Sequence, residues 1–451
     1  MNCPLPHWGS QVLLEQQSVN RDCACVSTSL LPGPRSTLCD PQLPAPNAWH
    51  ALCSPCQDME PHDYEGIRTQ ARSLIEDVIR PNAERIDRES IFPRDNLVAL
   101  ARAGLNGILL PKDLGGLALD HVAFAIVAEE IGRVCASTAL VYVMHVGAAQ
   151  TISLYGTEDQ KRRWLTPTRD GVIGTYSTSE KASGGHWWFN FSEATRRGDD
   201  YEVTADKSFT TSSGQADYYV VQTRTPAAKG PTDITFFIVD GKAPGIRAGT
   251  WNALGVHGNH SGPIRYESVH VPVRDRLGRE GEGKDIIYHG VSPVYLIGLG
   301  AAWHGVARGA LEEITRYATA TVHQDFNRRL SDYQVLRQQL GEAKVLIESV
   351  RPWQHALAAQ LDALWVAGRP QGELLIALTE FKVHAAEVAN IVARRALDVS
   401  GGYGYKLGPL ERAFRDARAA IGMGPSNNIA REWIGKTLVG LPLELFEAGG
   451  E

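Results

Sequence analysis

Between Tyr201 and Val271, short apolar runs rich in Tyr, Val and Thr alternate with segments that contain Gly, Pro and Asp. This stretch contains Tyr201-Glu-Val-Thr204, Asp217-Tyr-Tyr-Val-Val-Gln-Thr223, Ile234-Thr-Phe-Phe-Ile-Val239 and Ile264-Arg-Tyr-Glu-Ser-Val-His-Val271. The first, second and fourth runs alternate as half-buried strands do, and the third is typical of a fully buried strand. Short strands at this spacing predict an antiparallel β barrel or sandwich.

Helical periodicity flanks this region on both sides. Apolar residues recur at helical spacing from about His62 to Pro167, and again beyond about Gly281. The longest stripe ends at the helix stop Gly401-Gly402 and consists of Leu374, Leu378, Phe381, Ala385, Val388, Val392 and Ala396. Because strands and helices do not alternate, the order predicts an α+β fold with parts at residues 62–170, 171–280 and 281–451.

The composition is that of an ordinary globular protein. The 451 residues are 43% hydrophobic and 21% charged, and the net charge is −6. This mild acidity gives no sign of the basic surface that binds nucleic acid. No run of about 18 uncharged apolar residues is present to span a membrane. We therefore expect a cytoplasmic protein with neither nucleic acid nor a membrane among its partners.

The first 61 residues form a leader rich in Cys and Pro. Six of the seven cysteines lie there, at Cys3, Cys23, Cys25, Cys39, Cys53 and Cys56. We expect the leader to be disordered, because it has few periodic apolar residues. The spacing of Cys53-Ser-Pro-Cys56 leaves open a metal or redox element, although it lacks a second ligand pair at workable spacing.

Residue patterns alone leave the chemistry open. The body contains no HExxH metal spacing, no GxSxG nucleophile turn and no glycine-rich phosphate loop after a strand. Three places combine hydroxyls, glycines or charges: Phe209-Thr-Thr-Ser-Ser-Gly214, Gly401-Gly-Tyr-Gly404, and Arg415-Asp-Ala-Arg418 ahead of Gly422-Met-Gly-Pro425. Such groups suit a polar ring or a phosphate, and ordinary turn chemistry is the alternative.

These places, in this order, resemble the acyl-CoA dehydrogenase family from about His62 to Glu447. The supporting motifs are Phe92-Pro93, Gly104-Leu105, Gly115-Gly116, Gly156-Thr-Glu-Asp-Gln-Lys161, Val269-His-Val-Pro272, Glu411-Arg412 and the two C-terminal motifs given above. The resemblance implies an N-terminal helical domain, a middle antiparallel β domain and a C-terminal four-helix bundle. It also implies FAD as the cofactor and a homodimer or homotetramer, with no bound metal.

The resemblance also implies which residues contact FAD. Tyr176, Ser177, Thr178 and Ser179 would lie beside the flavin ring, with Phe209, Thr211 and Ser212 next to them and the Thr211 hydroxyl near N5. The remaining implied contacts are His323, Phe326, Gln334, Asp398, Gly401, Gly402, Ser426 and Asn428. The sequence departs from the family where His323 replaces an arginine, where Asp398 replaces a glutamine, and where Ser179-Glu-Lys-Ala-Ser-Gly-Gly-His186 lacks the family's proline, serine and aspartate.

The family's catalytic base is missing. Met423 occupies the position where the family usually has the glutamate. Tyr295 occupies the other position that the family uses for the base, on the first helix of the C-terminal domain. One interpretation is an acyl-thioester dehydrogenase of specialised metabolism, with CoA or an acyl carrier protein as carrier and Tyr295 or His304 as base. The second is a flavin-dependent monooxygenase or oxidase, and the third an inactive flavin-binding or interaction protein. The electron acceptor would be a flavoprotein or O2.

Overall fold

The computed structural model describes residues 62–183, 189–230, 232–441 and residue 443. The predicted leader, with six of the seven cysteines, lies outside the described residues. The remaining cysteine, Cys135, is a buried free thiol immediately before a helix.

Helices build the first part of the described chain. They are α1 Tyr64–Leu74, which continues through a π turn Ile75–Ile79 into α2 Arg80–Arg88, then α3 Arg94–Arg102, α4 His121–Gly132, α5 Ala136–Tyr155 and α6 Glu158–Trp164. The Asp120 carboxylate accepts the Ala123 N–H at 2.8 Å and caps α4, while Thr157 and Gln160 form a capping box at α6. Helix α4 is buried on all sides, as its continuous apolar sequence requires.

Strands follow, in two sheets that pack face to face. They are β1 Gly174–Ser177, β2 Ser179–Glu180, β3 Thr195–Arg197, β4 Asp200–Phe209, β5 Tyr218–Arg224, β6 Ile234–Asp240, β7 Ile246–Ala248, β8 Ile264–Val271 and β9 Arg276–Leu277. The first sheet has the order β1-β5-β6-β9 and the second β2-β4-β8-β7, with β3 on the side of β4. Their inner faces share a core that includes Tyr201, Val221, Phe237 and Tyr266. The domain is therefore a sandwich, one of the two predicted forms.

Strand β5 differs from the predicted alternation. Its residues from Tyr218 to Thr223 are all buried, because one face packs on the second sheet and the other on helical residues such as Ala148 and Ile152. Strand β8 alternates between buried and exposed residues along most of its length, as expected for a sheet with one solvated face. The domain also contains one parallel pair, in which Gly174 of β1 lies opposite Tyr218 of β5.

Helices return after the sandwich. They are α7 Gly283–Asp285, a π turn Ile286–Val291, α8 Ser292–Ala320, α9 Gln334–Val366, α10 Leu375–Ser400, α11 Pro409–Gly422 and α12 Asn427–Leu438, with a small hairpin of β10 Val322–His323 and β11 Arg328–Arg329 before α9. Helices α8 and α10 pack so closely that Gly300 of α8 has no room for a side chain. A Cβ atom added there would lie 2.1 Å from the ring of Phe381 on α10. The predicted stripe on α10 is buried from Leu378 to Ala396, and α10 ends immediately before Gly401.

The order of helices, β sandwich and helices confirms the predicted α+β class. One segment, residues 283–320, is long and apolar enough to cross a membrane by length and composition. However, 83% of its apolar 18-residue window is buried inside the fold, which is the environment of a core helix.

Candidate active site

Two predicted site residues each pack against the same two apolar cores. Tyr295 lies in the first turn of α8, and Met423 follows the last residue of α11. Each is half-buried and packs against both the large helical core and a second apolar cluster between α5 and the first sheet. Tyr176 of β1 belongs to this second cluster. We call the region defined by Tyr295, Met423 and Tyr176 the junction site.

Tyr176 is held in place by helix α5. Its hydroxyl lies 2.7 Å from the Thr151 hydroxyl, which donates to the Gly147 carbonyl at 3.0 Å. A Cβ at Gly147 would lie only 3.0 Å from the Tyr176 ring, so the glycine allows β1 to approach α5 this closely. The phenol of Tyr176 is thus fully engaged, and its ring forms a fixed wall of the junction site.

The other implied flavin contacts of the β domain lie together next to Tyr176. The hydroxyls of Ser177 and Thr210 are 3.0 Å apart, and Ser179 pairs with Phe209 in the second sheet. We call Tyr176–Ser179, Phe209, Thr211 and Ser212 the strand set. The Thr211 hydroxyl lies 2.7 Å from that of Ser261, a partner that the sequence did not indicate. The adjoining residues 184–188, with the altered motif at His186, lie outside the described residues.

Two features of the strand set indicate that it faces a ligand. The Phe209 ring is 63% exposed, which is unusual for an aromatic residue at the end of a central strand. The Ser212 Oγ atom is buried and has no hydrogen-bond partner, and its residue adopts a positive φ of 63°. Buried hydroxyls normally find partners, so this arrangement suits a planar polar ring laid against Phe209.

A buried lysine holds the segment from Met423 to Asn427. Lys382 of α10 donates to the carbonyl oxygens of Met423 and Pro425, both at 2.9 Å, and to the Asn427 side chain at 3.0 Å. Ser426 is half-buried at the start of α12, and Asn428 is exposed. The sequence signal for Lys382 was its position directly after Phe381 within the apolar stripe, where an exposed lysine is not expected.

The remaining implied contacts form a second, exposed group, which we call the surface set. It consists of His323, Phe326, Gln334, Asp398, Gly401 and Gly402. Phe326 is 70% exposed, and a Cβ at either glycine would meet open space. Among the described residues, no hydrogen bond, ion pair or ring contact links the surface set to the strand set.

His304 lies away from the junction site. It is fully buried in α8, nine residues after Tyr295 and therefore about 13 Å further along the helix axis. Its Nδ1 atom is 3.0 Å from the Gln354 amide oxygen and 3.8 Å from the Glu129 carboxylate. The structure thus does not bring together the two predicted catalytic residues, and His304 belongs to a buried charge cluster.

The protonation states follow from burial. Desolvation raises the pKa of the Tyr295 phenol well above its usual value, because the phenolate would lose its hydration. Burial lowers the pKa of His304, although the nearby Glu129 charge opposes this shift. At neutral pH the junction site therefore presents a neutral phenol and a thioether, with no carboxylate at either predicted base position.

No group of three or more His, Cys, Asp and Glu side chains in the described part of the chain could hold a metal ion. The Cys53–Cys56 pair lies outside the described residues.

Comparison with known proteins shows what this arrangement resembles. Three sequence models of acyl-CoA dehydrogenases match the chain: the N-terminal domain at residues 61–171, the middle domain at 175–269 and the C-terminal domain at 297–439. The short-chain specific acyl-CoA dehydrogenase of Clostridium acetobutylicum is 32% identical over 360 residues, which are 79% of this chain and 92% of that protein.

Solved structures agree in fold. The butyryl-CoA dehydrogenase of Megasphaera elsdenii matches with a TM-score of 0.77 and 26% identity, over 85% of this chain and 100% of that chain. A structure described as the electron transferring flavoprotein of Acidaminococcus fermentans matches with a TM-score of 0.78 and 28% identity, over 85% of this chain and 99% of that chain.

Proposed function

Because the chain belongs to the acyl-CoA dehydrogenase family, we propose that it is an FAD-dependent enzyme that dehydrogenates an acyl thioester between its α and β carbons. The chain is a flavin oxidoreductase, and the members of its family depend on FAD. The observation that carries the proposal is the shared packing of Tyr295, Met423 and Tyr176, which belong to or pack against the apolar cluster between α5 and the first sheet.

The residues present fit FAD. The exposed Phe209 ring and the unpartnered Ser212 hydroxyl suit the edge of a flavin ring, and the open glycines Gly401 and Gly402 leave room for a pyrophosphate. When bound, FAD supplies the acceptor for the electron pair that leaves the β carbon. The strand set would hold the ring, with Ser426 and Asn428 near it, and the surface set would hold the remainder of the cofactor.

A second copy of the chain would complete the cofactor site. Because the strand and surface sets are not linked on one chain, the proposal assigns the surface set to the FAD of a partner subunit. Phe326, Tyr405 and Leu407 support this assignment, since each is at least 70% exposed in the single chain. We therefore propose a homodimer or a homotetramer.

The base in this proposal is Tyr295. Tyr295 lies in the first turn of α8, at the second position where the family resemblance places a base, and His304 lies nine residues further along that helix. A phenol of raised pKa is a strong base once ionised but is rarely ionised near neutral pH. The rate of proton removal should therefore rise with pH instead of reaching a plateau near pH 7.

The acyl group and its carrier belong to this proposal as well. The relative from Clostridium acetobutylicum is described as short-chain specific, and we adopt a short acyl chain as the first substrate to test. CoA and an acyl carrier protein are both retained as carriers. The electron acceptor is proposed to be a flavoprotein, with O2 as the alternative; the cytoplasmic location remains a prediction.

Oxygen chemistry is the second candidate function. The observation that favours it is the lack of a carboxylate at Tyr295 and Met423, since a monooxygenase on this fold would not need that base. An inactive flavin-binding or interaction protein is the third candidate.

Product analysis separates the three. The holoenzyme is incubated with butyryl-CoA, or with a butyrylated acyl carrier protein, and an artificial electron acceptor, and the acyl group is analysed by mass spectrometry. Loss of two hydrogen atoms supports dehydrogenation. Gain of one oxygen atom that requires O2 and a reductant supports a monooxygenase, and an unchanged acyl group under all conditions supports the inactive protein.

A further inference from the structure

Lys382 occupies an environment in which lysine is rarely found. It lies in the middle of α10 with none of its surface exposed, next to Phe381 and one turn from Leu378 and Ala385 of the buried stripe. Lysine is almost never fully buried unless its charge is paired or fully hydrogen-bonded. Desolvation accordingly lowers the pKa of Lys382 to about 7, a shift that the charge of Glu387 opposes, and the three hydrogen bonds described next are those of its protonated form.

The hydrogen bonds of Lys382 all reach one segment. An ammonium group has three donors and no acceptor, and the three acceptors here are the carbonyl oxygens of Met423 and Pro425 and the side-chain oxygen of Asn427. The Asn427 side chain in turn donates to Glu387 at 3.0 Å, and Arg431 pairs with the same carboxylate at 2.7 Å. Each of the three donors of the ammonium group thus has an acceptor, while Glu387 Oε1 accepts from both Asn427 and Arg431.

This arrangement fixes backbone that would otherwise be unsupported. Met423 and Pro425 lie between the end of α11 and the start of α12, where carbonyl groups have no helical partner of their own. Met423 is also the residue that packs against both apolar cores at the junction site. The position of the Met423 side chain therefore depends on a backbone segment whose carbonyl groups are hydrogen-bonded to Lys382.

We propose that Lys382 is a positioning residue for the active site: its ammonium group fixes the segment from Met423 to Asn427 and so sets where Met423 stands relative to Tyr295 and the acyl group. The anchoring itself depends only on contacts within the chain. Its consequence for the reaction rests on the proposed function.

The test compares Lys382→Met with Thr379→Val in the holoenzyme. Methionine keeps the length and apolar stem of lysine but removes all three donors. Thr379 is buried on the same helix and donates only to the Leu375 carbonyl, so Thr379→Val controls for damage to α10. Hydrogen–deuterium exchange of peptides that cover residues 419–430 measures the anchoring without any substrate.

We expect Lys382→Met to speed exchange in residues 423–428 by about tenfold or more, with exchange in α8 unchanged, and Thr379→Val to leave that segment as in the parent protein. With thioester substrate, Lys382→Met should lower kcat more than it changes KM, because the segment is misplaced and the pocket remains. Unchanged exchange at residues 423–428 in the Lys382→Met variant would overturn the proposal.

Two further outcomes keep the test decisive. If Lys382→Met does not fold, Lys382→Gln takes its place: its shorter amide has only two N–H donors for three acceptors, so exchange should still rise, and slower or unchanged exchange counts against the anchoring. If exchange rises as expected but the parent protein dehydrogenates no thioester, the anchoring stands and the proposed function fails.

Discussion

Tyr295 and Met423 determine what the junction site can do to a substrate. Met423 has no proton-accepting atom of useful basicity, so it can only shape the pocket. Tyr295 carries a hydroxyl whose pKa is raised by burial, so it donates a hydrogen bond at neutral pH and accepts a proton only after ionisation. Under the proposed function, proton removal would therefore differ from that in a relative with a carboxylate at either position.

The first prediction concerns Tyr295. Replacement by phenylalanine removes the hydroxyl and keeps the ring, so substrate binding should persist while flavin reduction slows by about 100-fold or more. In the parent protein the reduction rate should rise with pH through the alkaline range, and this rise should vanish in the variant. Stopped-flow measurements over a pH series test both points, and equal rates for the two proteins would remove Tyr295 from the mechanism.

The second prediction adds a carboxylate at Met423. Met423→Glu should increase the rate of thioester dehydrogenation near neutral pH, because a glutamate there, half-buried against apolar residues, would have a raised pKa suited to a base. Met423→Gln has nearly the same shape without basicity and serves as the control. If the two variants show the same rate, residue 423 does not lie near the acyl α carbon.

At the scale of elements, a buried charge cluster joins four helices. Glu129 of α4 is fully buried and is paired by Arg68 of α1, Arg308 of α8 and Arg351 of α9, with distances of 2.6–3.4 Å. Gln354 donates to its second oxygen at 3.1 Å. Burial alone would raise the pKa of Glu129, but the surrounding positive charges lower it to about 2.

The third prediction follows from this cluster. Glu129→Gln should lower the free energy of unfolding by about 3 kcal/mol, because Arg351 loses its carboxylate partner while Arg68 and Arg308 keep Glu130. Glu348→Gln removes an exposed pair with Lys344 and should cost under about 1 kcal/mol. Chemical denaturation of both variants measures the difference, and similar values for the two would contradict the role of the cluster.

The contribution of Glu129 to the free energy of unfolding should fall as the pH falls. The pKa of Glu129 is lowered on folding from 4.5 to about 2, so its contribution is fully present above about pH 4.5 and is lost as the pH falls toward 2. The parent protein should lose stability through this window more steeply than Glu129→Gln. Parallel slopes would show that Glu129 keeps its ordinary pKa in the folded protein.

Elements also show how far the sequence could predict this structure. The α10 stripe and its end at Gly401 follow from local periodicity and were predictable. The full burial of β5 was not, since it depends on which layer covers each face of the first sheet. Lys382 could not be assigned because its acceptors lie about 40 residues further along the chain, and only tertiary packing brings them together.

At the scale of the whole molecule, the account requires more than one chain. The strand set lies at the sandwich and the surface set near the hairpin, at the start of α9 and at the end of α10, and the proposed function assigns the surface set to the FAD of a partner subunit. Family resemblance supplied both sets of residues, but their separation on one chain is a property of the folded structure. Exposed apolar residues near the surface set indicate where a partner would pack.

The fourth prediction tests this assembly. Phe326→Asp should weaken the oligomer and reduce FAD content together, because the same residue would serve both. Val273→Asp changes an exposed apolar residue of the sandwich and should alter neither. Light scattering after size-exclusion chromatography, with flavin content from absorbance, gives both quantities. A monomeric parent protein that retains full FAD would contradict the shared site.

Anaerobic reduction of the flavin tests whether this chain passes electrons from an acyl thioester to FAD without a carboxylate base. The purified holoenzyme is mixed with butyryl-CoA in the absence of oxygen while the visible absorbance of the oxidised flavin is followed. The account predicts that this absorbance is lost in a single turnover, faster at higher pH. Flavin that stays oxidised with butyryl-CoA and with a butyrylated acyl carrier protein, yet is reduced by an external reductant and then consumes O2, would contradict it.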